Sequence, residues 1–135
     1  MEKTGRIAVK LAVLLAYYAL VTYLCLGSLD YVSQIDVPHY IFGIRIDRWV
    51  HFLMFFPMPL LLYWIAPKRR RFLSLSVSSL MSLAVSASLE YLQRFTPTRL
   101  TDPKDLCANW LAIIVMTILI AIGIVVRMIS ARKSC

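Results

Sequence analysis

Charge is scarce in this chain, and acid scarcest. Seven Asp and Glu stand against fifteen Lys and Arg, and charged residues are only 16% of the 135 positions. A soluble domain carries about 25%. Apolar residues reach 60% and mean hydropathy is +0.73, which excludes an ordinary soluble domain of this size. There are only four glycines and two histidines. Three cysteines, Cys25, Cys107 and Cys135, make an odd set with no metal-type spacing. No internal repeat, low-complexity segment or cofactor-binding motif is present, and no separate soluble domain fits.

What is present is a series of apolar runs, each close to the about 20 residues that span a bilayer. They predict helices at about 7–29, 47–66, 72–93 and 105–128. The expected fold is all-α: one polytopic membrane domain over 1–135, built as a bundle of four transmembrane helices. The basic start followed by an apolar run resembles a signal peptide. Its length, and the lack of a small-x-small site before a soluble domain, favour a retained first helix.

The net charge of +8 would suggest nucleic acid in a soluble protein. Here the basic residues fall where cytoplasmic loops need them, and no nucleic-acid partner is expected. Lys3, Arg6 and Lys10, then Lys68 to Arg71, then Arg127, Arg132 and Lys133 all lie on one side of a four-helix arrangement. The other side has Arg45, Arg48, Arg94, Arg99 and Lys104, with Asp30, Asp36, Asp47, Glu90, Asp102 and Asp105. The positive-inside rule puts both the N- and C-termini in the cytoplasm of a multi-pass protein of the cell inner (cytoplasmic) membrane. The acid-rich corner then faces outward.

Periodicity makes more local predictions. In the first helix Ala8, Ala12, Ala16, Ala19 and Tyr23 share an arc with Asp30, and small residues so spaced suit close helix packing. The segment 30–46, with His39, mixes charge with bulky apolar groups and reads as a loop at the interface. Pro57 and Pro59 predict a kink in the second helix. Ser79, Ser82, Ser86, Glu90 and Gln93 fall within roughly 80° on the third, a stripe expected to face the bundle. Asp105, Asn109, Ala112, Met116 and Gly123 share a face of the fourth. Cys25 and Cys107 fall at one membrane face, which leaves a disulfide open.

One constellation stands out. Asp47 and His51 lie a turn apart on the second helix, Glu90 and Gln93 on the third, and Asp105 and Asn109 on the fourth. Arg99 and Asp102 sit on the turn joining the last two. His51, Glu90 and Asn109 would lie about 5 Å below the outer interface, roughly one helical turn. Ionisable groups at such depth are costly and point to function. Asp47 and Asp105 also suit helix starts as caps. Histidine among carboxylates suits proton transfer. Arginine suits a phosphate or carboxylate. Asp47, His51, Glu90 and Asp105 are also metal-ligand types, but their spacing matches no metal motif, and no metal is assigned. The polar groups could equally pin helix ends together.

The order Asp47-Arg48-x-x-His51-Phe52, then Glu90-x-x-Gln93, then Pro97-x-Arg99-x-x-Asp102-x-x-Asp105-x-x-x-Asn109 resembles the VanZ-like family of small bacterial membrane proteins. The likeness runs from about Asp47 to Met116. It departs at Arg48, usually lysine in that family, and after Asn109, where Ala112 stands in place of the usual glycine. The resemblance implies a cell-envelope role, the namesake being linked to low-level teicoplanin resistance.

Together these readings give an outward-facing polar site that binds or modifies a membrane lipid headgroup or a lipid-linked wall precursor. In an enzyme, His51 is base or nucleophile, Asp47 or Glu90 orients it, and Asp105 completes the acids. Arg99 holds phosphate, while Gln93, Asn109 and Asp102 position the substrate. A binding protein uses the same residues without turnover. A proton or ion path is the third class, disfavoured because the inner half offers mostly serine, alanine and bulky apolar residues.

Overall fold

The computed structural model describes residues 2–27, 40–96 and 102–133. Helix α1 runs Glu2–Leu26. A hairpin follows, β1 Tyr40–Ile41 paired antiparallel with β2 Ile44–Arg45. Then come α2 Ile46–Phe55, α3 Met58–Ile65, α4 Arg71–Gln93 and α5 Pro103–Lys133. Four stretches are long and apolar enough to cross a membrane: Gly5–Leu26, Ile46–Ile65, Arg71–Gln93 and Pro103–Lys133. The fold is the expected all-α four-span arrangement, and the protein is a multi-pass membrane protein.

The second span breaks where its prolines predict. Proline has no N–H, so Pro57 and Pro59 each leave a carbonyl one turn back without its usual donor. Pro57 itself stays helical, with φ −77° and ψ −10°, so the chain kinks without leaving the bundle. The Tyr17 hydroxyl of α1 donates to the Met54 main-chain carbonyl inside the broken turn. The carbonyls that lose a donor are those of Leu53 and Phe55, four residues before each proline; Tyr17 serves the Met54 carbonyl between them, so a neighbouring helix braces the interrupted turn.

The core gathers Val21, Cys25, Phe55, Met58, Leu89, Ala112 and Ile113. Helix α5 packs along both α2 and α4, and α1 lies at the periphery. Of the expected stripe Ser82, Ser86, Glu90 and Gln93 are buried, while Ser79 is half-buried and its neighbour Ser78, outside the expected set, is buried instead. Most of its hydroxyls donate within their own helix, Ser78 to the Ser74 carbonyl at 2.8 Å, Ser82 to Ser78 at 2.8 Å and Ser86 to Leu83 at 2.9 Å. Ser79 also meets the Thr117 hydroxyl of α5 at 2.8 Å.

Several expectations are corrected. The alanines of α1 and Tyr23 are exposed, and the buried residues are Val21 and Cys25. Tyr17 and Tyr18 pack against the core on that same face. Large side chains fill the space beside the proline break better than an alanine seam would. Cys25 is buried, Cys107 exposed, and the two are not joined. The end of the expected 30–46 loop is instead the hairpin, turning at Phe42 (φ 52°) and Gly43 (φ 75°). Two positive φ angles make a tight turn whose twist matches paired strands. Phenylalanine is unusual there, which hid the turn in the sequence. Asp30, Asp36, His39 and Cys135 lie outside the described residues.

Candidate functional site

The start of α5 is built by Asp102. Its side chain accepts from the Lys104 main-chain N–H at 2.9 Å, its carbonyl accepts from Asp105 N–H at 2.9 Å, and Pro103 follows as first helical residue. This is an acid cap with a proline whose missing N–H is not needed. Capping therefore falls to Asp102, not Asp105. Asp105 is one turn in, buried, and directed at α2.

There it meets a cluster. His51 Nδ1 lies 3.2 Å from Asn109 Oδ1, and His51 Nε2 lies 4.0 Å from Asp105 Oδ2. The amide oxygen only accepts, so Nδ1 carries the proton and Nε2 faces the carboxylate. Asn109 is 1% exposed, so the imidazole is held from beneath. Arg48, one turn before His51, adds the cation. It reaches Asp102 Oδ2 at 3.3 Å, and its Nε lies 3.7 Å from Asp105 Oδ1.

The predicted residues divide. His51, Asp105, Asn109 and Asp102 come together between α2 and α5. Asp47 does not join them: it pairs with Arg45 at 2.6 Å and accepts from the Arg48 main-chain N–H at 2.9 Å, so Asp105 stands where Asp47 or Glu90 was expected to orient His51. Gln93 also turns away, donating to the Cys25 carbonyl at 3.2 Å and tying α4 to α1. Arg99 lies outside the described residues. Sequence reasoning left Arg48 out of the site. The signal was its i, i+3 relation to His51 and the charge it keeps at a lysine position of the resembled family.

Glu90 stands apart on α4. It is 7% exposed, with the acids Asp105 and Asp102 near it and Arg94 on the same hollow. The Asp102 main-chain N–H approaches it without reaching hydrogen-bond geometry. Among the described residues neither Glu90 oxygen has a hydrogen-bond partner, and the same holds for Arg48 Nε and Asp105 Oδ1. Buried polar groups in folded proteins are nearly always satisfied.

Two hollows flank these atoms. One, of about 310 Å³, is lined by Glu90, Tyr91, Arg94, Pro103 and Leu106. The other, of about 550 Å³, lies between α2 and α5 with Trp49, Phe52, Leu111 and Val115 as apolar wall and Arg48 and Lys104 as its cations. Among the described residues no three His, Cys, Asp or Glu side chains converge as a metal set.

The VanZ/LLP1 family model matches residues 13–126, most of the chain, and the protein belongs to that family. No curated protein and no solved structure matches.

Proposed function

We propose that this VanZ/LLP1 membrane protein binds the headgroup of an envelope lipid or lipid-linked wall precursor at the outer face of the cytoplasmic membrane. One observation carries the reading: among the described residues the buried Arg48 Nε, Asp105 Oδ1 and Glu90 carboxylate have no hydrogen bond, the first two facing each other only as an ion pair at 3.7 Å, with Arg48 lining an apolar groove and Glu90 the smaller hollow. A cluster serving only to pin helices would satisfy its own members. Here one donor and three acceptor oxygens have no hydrogen bond among the described residues, which suits a headgroup with both an anionic oxygen and hydroxyl, amide or ammonium donors. Arg48 and Lys104 take the anion, Asp105 and Glu90 the donors, and the groove along Trp49, Phe52 and Leu111 takes a chain. Arg99, expected from the sequence to grip phosphate, belongs to the same reading.

A second reading rests on His51. With Nδ1 held by Asn109 and Nε2 facing Asp105, the ring is oriented as a proton-transfer group, so headgroup modification uses the same residues.

The test compares Arg48→Gln, His51→Ala, Glu90→Gln and Asn109→Ala with wild type for co-purified lipid, thermal stability and host tolerance of teicoplanin. Site residues give loss of bound lipid and tolerance at nearly unchanged folded yield. Loss of lipid only in step with yield, at about 1–3 kcal/mol per broken buried bond, assigns the cluster to scaffolding instead.

A further inference from the structure

The opposite end of the bundle has a second lined groove, of about 450 Å³, between α3, α4 and α5. Leu60 and Ile120 form part of its apolar wall, and Lys68, Arg71 and Arg127 also line it. Arg71 and Arg127 line the adjoining hollow too, with Arg69 and Arg132. The cations come from separate stretches of chain: the α3–α4 connection, the first residue of α4, and the last third of α5.

A cytoplasmic arginine excess alone would follow from the positive-inside rule. Three further observations do not. The cations converge on a groove with an apolar wall. Among the described residues none of Lys68, Arg71 and Arg127 is in an ion pair with a carboxylate, the pairs there being made by Arg45, Arg48 and His51. Gly123 lies in the lining, and a β-carbon built there meets nothing within 4 Å, so the floor is open where any other residue would begin to fill it. Lys68 also sits beside Lys10: its burial first, and that charge second, hold it below the usual lysine range. An anion would relieve that crowding.

We propose that this groove is a binding site for an anionic glycerophospholipid of the basic-side leaflet. The phosphodiester lies between Arg71 and Arg127 with Lys68 beside it, and one acyl chain runs over Gly123 between Leu60 and Ile120. Charge complementarity selects the headgroup, and the apolar wall below it selects a lipid over a soluble anion. Basic pockets between membrane helices on the cytoplasmic side hold anionic headgroups in this way. The site is separate from the polar cluster at the other end and does not depend on it.

The experiment is native mass spectrometry of the whole protein with equal phosphatidylglycerol and phosphatidylcholine. Wild type retains phosphatidylglycerol preferentially. Arg71→Gln with Arg127→Gln lowers that preference roughly tenfold or more. Gly123→Leu fills the groove while leaving every cation in place, and it lowers retention too, whereas Arg132→Gln changes it little. A preference untouched by Gly123→Leu overturns the proposal, because it then reports surface charge alone. So does a wild type with no preference. A phosphatidylglycerol carrying a photoreactive diazirine on its acyl chain tests the wild type directly. It labels α5 between Met116 and Arg127, in competition with unlabelled phosphatidylglycerol. Labelling confined to other helices overturns the proposal whether or not the variants fold.

Discussion

Arg48 and Asp102 join two helix starts. Asp102 caps α5 through the Lys104 N–H and takes the Arg48 guanidinium at 3.3 Å. The Lys104 N–H first, and Arg48 after it, hold the Asp102 carboxylate below the ordinary aspartate range. A folded-state value below the unfolded one stabilises the protein above the unfolded value, about 3.9. That contribution fades as pH falls through the folded one. Wild type is therefore expected to lose part of its melting temperature on acidification below about pH 4. Asp102→Asn should melt lower at neutral pH and converge with wild type in acid; parallel curves across the range would contradict the linkage. Much of this site was legible in the sequence. His51, Asp105 and Asn109 fall at positions where helical spacing brings them inward, and charge inside an apolar run marks itself. Which acid faces which base was not legible. Asp47 and Asp105 are equivalent by spacing, and only the packing of α5 on α2 brings Asp105 to His51 and leaves Asp47 to Arg45.

At the scale of elements, the second span shows why its halves stay aligned. Tyr17 supplies a hydroxyl to the Met54 carbonyl at the proline break. Tyr17→Phe keeps the ring and removes the donor. It should destabilise by about 1–3 kcal/mol, the cost of a buried carbonyl left without its partner, measured as a lower unfolding midpoint in detergent. An unchanged midpoint would mean that the carbonyl finds another donor. The break itself could be read from Pro57 and Pro59. Its repair could not, since it depends on which face of α1 turns inward. Alanine spacing pointed to one face, and the bulk of Tyr17, Tyr18 and Val21 decided for the other. The hairpin escaped for a similar reason. Its turn depends on Phe42 adopting a positive φ, and phenylalanine rarely announces that conformation. The Trp49 indole N–H then ties the hairpin to α2 at the Ile41 carbonyl, at 3.3 Å. Phe42 itself is 93% exposed.

Taken whole, the bundle is polarised. Arg48, Lys104 and the acids of the cluster gather at one end, and Lys68, Arg71 and Arg127 at the other. Charge asymmetry predicts the second end to be cytoplasmic. In a cysteine-free background, Lys104→Cys should react with a membrane-impermeant maleimide in intact cells, and Arg69→Cys only after permeabilisation. The reverse pattern would invert the orientation and with it the leaflet assigned to each groove.

The serine seam of α4 bears on energy conservation. Each of the Ser78, Ser82 and Ser86 hydroxyls is committed to a carbonyl of its own helix. A proton moving along that seam would have to break one such bond at every turn. The seam is expected to act as an insulator. A titratable cluster near one face is then expected to leak no protons across a bilayer. Liposomes containing it should hold an imposed pH difference as long as empty ones do, and Ser82→Ala should leave that decay unchanged.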